Sequence, residues 1–255
     1  MAQRQRGTGD LELPRQGRRW YTDALLAVLY DIHGNLGALE AVLADAEATG
    51  AERFLLGGDF TLFGAWPCET LTRLSALPAA TWVRGNGERW TAHPAQAPAD
   101  ATIQAAITSC VGALGIEAIA ELDRLATAAD VDGVHFVHAS PISDLRSFAA
   151  APNDEDGELL GPISAGRLVF GHTHLQFRRA AAAADVELAN PGSVGMPFDG
   201  DRRAAYALLE RPGGALELKR VAYDWAASAA AVRERFGADG GWAEIVAGRI
   251  ERAAF

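Results

Sequence analysis

Seven side chains able to hold a metal ion stand directly behind short apolar runs: Asp31 and His33 in Asp31-Ile32-His33-Gly34-Asn35, Asp59 in Gly58-Asp59, Asn86 in Gly85-Asn86, His138, and His172 and His174 in Gly171-His172-Thr173-His174. Their donors are oxygen and nitrogen, with no thiolate. Imidazole, carboxylate and amide together suit Mn, Fe, Co, Ni or Zn better than calcium. Seven donors suffice for two ions if one carboxylate bridges. Two divalent ions bring +4, Asp31 and Asp59 bring −2 and a shared hydroxide −1, leaving about +1 to receive a phosphate. Metals about 3.5–4 Å apart can acidify a shared water and clamp the attacking and leaving oxygens of an in-line displacement. Such a site could activate water for attack on an anionic centre without a covalent protein nucleophile.

The elements that must bring these residues together follow from periodicity. Leu25 to Tyr30 is a continuous apolar run, as expected for a strand buried on both faces. Leu36, Leu39, Val42, Leu43 and Ala46 then recur at helical spacing, with Asn35 as N-cap and Gly50 suited to a left-handed C-terminal position. A strand at Phe54–Leu56, a helix from Pro67 to Leu77 and a strand at Thr81–Val83 continue a β-α-β rhythm with parallel strands. Residues 102–128 read as mostly helical and 141–163 as a loop. Strands are expected at 134–137 and 168–170. The segments 186–188, 204–209 and 216–223 read as antiparallel strands, and 225–236 and 242–253 as helices. In open α/β sheets ligands bind beyond the carboxyl ends of strands, so the five ligand clusters should share one crevice.

The order DxH, GDxxxxG, GN, H and GHTH, here Asp31/His33, Gly58-Asp59 to Gly64, Gly85-Asn86, His138 and Gly171 to His174, resembles the calcineurin-like metallophosphoesterases. The resemblance spans about residues 25 to 210 and includes a segment, Asn190-Pro191-Gly192-Ser193-Val194-Gly195, like that of the smaller bacterial and archaeal members. It implies an α/β protein of α+β type, a four-layer αββα sandwich of two mixed sheets. By matching position, Asp31, His33 and His174 would bind one ion, Asn86, His138 and His172 the other, and Asp59 both. Asp59, Asn86 and His172 would be the catalytic members. Spacing alone does not assign a ligand to one ion rather than the other. Mn or Fe is the family expectation, with Zn, Ni and Co as alternatives.

The chain departs from the family pattern at Gly87. Many members read GNHD or GNHE, with the histidine protonating the leaving group or stabilising the transition state. Here the run is Gly85-Asn86-Gly87-Glu88, and Gly87 has no proton to give. General acid catalysis typically contributes about 10²–10⁴-fold. The expectation is therefore a bias toward phosphodiesters or activated esters, with room for a bulky leaving group. A phosphomonoesterase, including a nucleotide or phosphoprotein phosphatase, is the first alternative, and a non-catalytic interaction scaffold the second.

Plainer roles are available nearby. His93 could substitute as acid or be a surface loop histidine. His135 falls on the strand face opposite His138 and is not expected to bind metal. Asn35 can cap a helix or support the site. Glu88 can orient a ligand or lie exposed, and Asn190 and Ser193 can support the crevice or simply form a turn. Arg84, Arg89, Arg202 and Arg203 could hold a substrate phosphate or be solvated surface arginines, the plainer reading in a chain with 22 arginines and one lysine.

Composition sets the outer bounds. The chain has 255 residues, 33 acidic against 23 basic, and a formal charge of −10. That argues against a broad nucleic-acid face but not against a phosphate substrate in a locally positive crevice. Lys219 lies in neither a Walker loop nor an SxxK motif, which removes both chemistries. Cys68 and Cys110 form no CxxC, and no run approaches the ~18 apolar residues of a membrane span. The expectation is a cytoplasmic protein acting on a small phosphate ester. Residues 1–22 are arginine-rich without an apolar core and read as a flexible extension or an early start, with 23–255 as a single domain.

Overall fold

The apolar run behind Asp31 becomes β1 (Leu25–Leu29), the middle strand of a five-stranded sheet. Its two faces enter different cores, as the twofold strand period demands. Ala27 and Leu29 pack toward the helices, and Leu26 and Val28 toward the second sheet. The computed structural model describes residues 24–182, 184–210, 213–237 and 241–255. The expected N-terminal extension, residues 1–22, lies outside them.

After β1 come α1 (Leu36–Ala48), β2 (Ala51–Leu56), α2 (Pro67–Ser75), β3 (Ala80–Trp82), α3 (Asn86–Ala92), α4 (Ala101–Leu114) and α5 (Ile116–Asp123). The second half runs β4 (Ala128–Val131), β5 (Val134–Val137), α6 (Asp156–Leu160), β6 (Arg167–Val169), β7 (Gln176–Ala180) and β8 (Glu187–Pro191). It closes with β9 (Ala204–Leu209), β10 (Leu216–Val221), α7 (Trp225–Phe236) and α8 (Trp242–Arg252). The first sheet has the order β10-β9-β1-β2-β3 and the second β4-β5-β6-β8-β7. Both are mixed. β1, β2 and β3 are parallel, as are β5, β6 and β8, while β9, β10, β4 and β7 pair antiparallel.

Three buried layers fill the space. Val28, Tyr30, Leu55, Phe136, Val169 and Ala207 lie between the sheets. On the outer face of the first sheet, Leu39, Leu43, Leu71, Ile107, Val232 and Val246 bring α1, α2, α4, α7 and α8 onto it. The outer face of the second sheet is covered more thinly, by α6 and the 141–163 segment through Phe148, Leu159 and Leu160 against Leu168 and Phe170. The αββα sandwich therefore has a full helical layer on one side and a five-residue helix plus loop on the other.

The structure corrects three sequence expectations. β8 runs parallel to β6 and only its other edge, with β7, is antiparallel, so the 186–188 segment is not part of an antiparallel meander. Ala128, the last residue of the expected helical stretch, instead begins an edge strand over 128–131, and β7 carries polar Gln176, Arg178 and Arg179, a composition that hid it. Asp156–Leu160 is a short helix inside the expected loop.

Candidate metal centre

The clusters converge because backbone hydrogen bonds lace the loops behind the strands to one another. His33 N–H donates to Asp59 O at 2.9 Å and Gly34 N–H to Phe60 O at 2.8 Å. Gly171 N–H donates to His138 O at 2.8 Å, and Gly195 N–H to Asp31 O at 3.0 Å. Such contact needs backbone without side chains in the way. A Cβ on Gly64 would lie 1.9 Å from His33 O, and one on Gly195 1.9 Å from Ile32 O. Either Gly→Ala would push the Asp31–Asn35 loop out of place.

All seven predicted donors arrive in this crevice. His33 Nε2 is 3.1 Å from His174 Nε2 and 3.7 Å from Asp59 Oδ2, and His174 Nε2 is 3.7 Å from Asp31 Oδ1. On the other side, His138 Nε2 is 3.5 Å from Asp59 Oδ1 and 3.0 Å from Asn86 Oδ1, which in turn lies 2.9 Å from His172 Nδ1. Asp59 thus turns one oxygen to each half. Six of the seven are buried, and His172 is half-buried.

Hydrogen bonding decides what these atoms can do. The Nδ1 atoms of His33, His174 and His138 face the carbonyls of Leu62, Met196 and Gly57 at 2.9, 2.6 and 2.9 Å, so each must carry its proton there. The three Nε2 lone pairs then point inward at one another and at carboxylate oxygens. Asp31 Oδ1 is buried with no hydrogen-bond donor. Among the described residues no arginine or lysine pairs with Asp31 or Asp59. Lone pairs facing lone pairs are repulsive unless a cation sits among them. For bonds of about 2.1 Å, adjacent ligands stand roughly 3.0–3.4 Å apart, close to the spacing found here. The donor set fits divalent transition metal. Asn86 could reverse its amide and donate to both imidazoles, but the oxygen-inward orientation is the one a cation requires.

Burial and mutual repulsion set the protonation states. Burial raises Asp31 well above the usual carboxylate range. It also pushes Asp59 up, but His138 and His33 outweigh it and leave Asp59 low. Burial lowers His33 and carries His174 far down, and with the charge of His138 it brings His172 to about 4. Neutral imidazoles are the form that ligates metal. His138 is raised, because Asp59 and Asp31 overcome its burial.

Backbone strain marks the same residues. Asp31, His33, Asp59, His172 and His174 have φ between 50° and 66°, the left-handed region. Each such placement costs roughly 1–3 kcal/mol and persists only where surrounding contacts enforce it.

The supporting residues resolve as follows. Glu88 is buried and accepts N–H bonds from Gly85, Asp59 and Phe60 at 2.9, 2.9 and 2.8 Å, tying the Asp59 and Asn86 loops together. Burial and Asp59 lift its pKa to about 7. Asn35 does both of its suggested jobs, capping α1 through Ala38 N–H and donating to Gly195 O at 2.8 Å. Asn190 donates to Gly171 O and Thr173 Oγ1, and Ser193 to Asp31 O, so both brace ligand loops. Gly87 N–H donates to Asp59 Oδ1 at 2.7 Å, and a Cβ there would meet that oxygen at 2.9 Å. The space in front of Gly87 is therefore taken by Asp59 rather than left open for a leaving group.

Several residues have other employment. His93 is exposed and paired with Asp123 at 2.9 Å, and His135 with Asp130 at 2.8 Å. Arg84 binds Asp123, Arg203 binds Asp201, and Arg202 donates to Glu251 O. Arg89 grips Asp144 through two nitrogens. The carbonyls of Gly57, Leu62 and Met196 orient the imidazoles, and since every residue owns a carbonyl, the sequence carries no sign of them.

Comparison with known proteins gives the family and the fold. The calcineurin-like phosphoesterase superfamily domain matches residues 25–212. An uncharacterised protein of Methanocaldococcus jannaschii is 28% identical over 238 residues, 79% of this chain and 88% of that one. The crystal structure of a metallophosphoesterase from Sphaerobacter thermophilus superposes with a TM-score of 0.75 at 24% identity, covering 90% of this chain and 100% of that one. A hypothetical protein of Pyrococcus horikoshii gives 0.75 at 18% identity, covering 88% and 97%. Both structural likenesses concern the fold.

Proposed function

The chain belongs to the calcineurin-like phosphoesterase superfamily, hydrolases of phosphoric ester bonds, and from that premise we propose that it is a phosphodiesterase with a centre for two divalent ions. The observation that carries the metal assignment is the inward-facing set of ring nitrogens and carboxylate oxygens, with no arginine or lysine among the described residues paired to them and one buried Asp31 oxygen left without a donor. Asp31, His33 and His174 would hold one ion, Asn86, His138 and His172 the other, and Asp59 both, with Mn or Fe as the favoured metal. When bound, the ions supply a nucleophile at neutral pH and neutralise charge on the phosphate.

The remaining chemistry belongs to the chain. Leu62, Met196 and Gly57 fix the imidazole tautomers through their carbonyls, and Glu88 holds the loops of Asp59 and Asn86 at a fixed separation. Gly87 steadies Asp59 by its N–H and offers no acid. His172, at about 4, has no proton to give at neutral pH, and His93 is engaged with Asp123. Such a site favours an ester whose leaving group departs with little protonation. This supports a diester or an activated ester over an unactivated alkyl monoester.

We place the protein in a reducing compartment, in keeping with the free thiols of Cys68 and Cys110. Among the described residues no single helix is long and apolar enough to cross a membrane.

The test is hydrolysis of bis-p-nitrophenyl phosphate and p-nitrophenyl phosphate by Mn-loaded protein beside Asp59→Asn. Faster turnover of the diester, lost in the variant, is the expected result. Preference for the monoester would replace the diesterase reading with the phosphatase one. Absence of activity, or activity unchanged in Asp59→Asn, would overturn the metal-hydrolase assignment of this centre.

A further inference from the structure

One flank of the centre continues as an aromatic ladder into the C-terminal helix. The His174 ring stacks on Phe198, centroids 4.4 Å apart and planes 17° from parallel. Phe255 meets Phe198 edge-on at 5.6 Å, and the Arg249 guanidinium lies 4.1 Å above the Phe255 ring. The end of α8 is fastened here. Gly200 N–H donates to Ala253 O at 2.9 Å, Arg202 donates to Glu251 O, and Phe198 N–H donates to His174 O at 3.2 Å. Val246 and Ile250 anchor the other side of α8 in the core. This helix lies beyond residues 25–212, the part of the chain that matches the superfamily domain.

Arg249 is half-buried, unlike its exposed neighbour Arg252, and neither has an ion pair among the described residues. On the adjoining helix Arg233 grips both Glu244 and Glu251, whereas no carboxylate among the described residues pairs with Arg249. It joins the centre through the ladder of Phe255, Phe198 and His174, and its own pKa is lowered, chiefly by burial, with Asp100 pulling the other way. A half-buried cation that rests on a ring instead of an acid lies beside a centre built for a phosphate ester. A guanidinium plane stacks on flat π systems and also attracts anions. Phe255 remains 83% exposed, so Arg249 leaves most of its surface open.

We propose that Arg249, Phe198 and Phe255 form a substrate subsite on the His33–His174 flank that takes a flat aromatic or heterocyclic ester group, such as an aryl ring or a nucleobase. The subsite rests on the phosphoesterase reading of the centre and adds the organic half of the substrate to it. The scissile phosphate would lie over the seven donors, with its aromatic group along the ladder toward α8.

Calorimetric titration of the Mn-loaded protein with phenylphosphonate and methylphosphonate tests this, since the pair differ only in the ring. Binding of phenylphosphonate about tenfold tighter is expected, the size of one stacking contact. The preference should shrink to about twofold or less in Arg249→Gln and in Phe255→Ala, and bis-p-nitrophenyl phosphate should show a raised KM more than a lowered kcat. Equal affinity for the two phosphonates in the wild-type protein, with diester hydrolysis intact, overturns the subsite and leaves the diesterase. A ring preference beside faster monoester turnover overturns the diesterase and keeps the subsite. A preference that survives in both variants, or failure to bind either phosphonate, overturns the subsite.

Discussion

Asp31 and Asp156 are both carboxylates with no exposed surface, yet the protein surrounds them differently. Asp156 is gripped by two nitrogens of Arg179, at 2.5 and 2.8 Å, and accepts Ala182 N–H at 2.8 Å. Burial pushes its pKa up, and Arg179 reverses this, leaving it low. Asp31 accepts His172 N–H at 2.9 Å through one oxygen, and its other oxygen has no hydrogen-bond donor. Burial leaves its pKa high. Among the described residues no arginine pairs with this carboxylate cluster. The Asp156 region is electrostatically complete in itself. The centre is complete only with cations from solution.

Substitutions can break or sharpen that contrast. Asp31→Asn should lower kcat/KM for the preferred ester by about 10²–10³-fold, since ligand loss exceeds the 10–100-fold typical of residues that only orient ligands. In chelator the same variant should melt higher than wild type. A folded-state pKa above the unfolded value near 3.9 gives stability that is present below that value and lost as pH rises through the folded pKa. At neutral pH the buried carboxylate is thus a liability, which asparagine removes. Melting curves of the chelated pair from pH 4 to 8 check this, and a variant no more stable at pH 7 would count against an unanswered charge.

Arg179→Met should do the reverse. It strands Asp156 and should cost about 3–5 kcal/mol, the usual penalty for breaking a buried pair. The pKa of Asp156 is depressed, so its stabilisation is present above about pH 3.9 and lost as pH falls through the folded value. Denaturant titrations at pH 7 and pH 3 should differ for wild type and converge for the variant.

Glu88→Gln tests the bracing between the halves of the centre. Three N–H groups converge on this carboxylate, and glutamine presents one of them with an amide donor. About 1–3 kcal/mol of stability should go, with metal affinity weakened roughly 10–100-fold, measurable by competition with a chelator. Arg233→Gln is the smallest change. Its pairs with Glu244 and Glu251 are partly exposed, and their loss should move stability by less than about 1 kcal/mol. A larger drop would mean that the α7–α8 pair depends on its surface charges.

Much of the centre was legible in the linear order of residues. β1, α1 and β2 follow from a buried run, a helical period and another buried run, and donors placed behind the parallel strands of both sheets meet beyond their carboxyl ends. β7 and β4 escaped because their polar residues are satisfied by the sheet and by ion pairs rather than by alternation. Arg178, for example, pairs with Glu187 on the neighbouring strand. Gly87 was legible as a missing acid, while its closeness to Asp59 was not. Glu88 and Ser193 were ambiguous until burial and hydrogen bonds separated bracing from surface roles.

The amino-acid order alone determined which seven side chains carry donors and that they follow strands, because residue type and the alternation of apolar runs are local properties. Tertiary structure decided what local pattern cannot encode. The Nδ1 protons are spent on the distant carbonyls of Leu62, Met196 and Gly57, so the lone pairs face inward. Left-handed backbone at five of the seven donors is enforced by surrounding loops. Arg249, more than 200 residues from Asp31 in the chain, is joined to His174 through Phe255 and Phe198 because α8 packs onto the first sheet. Each of these depends on groups far apart in sequence, and only the packed fold brings them together.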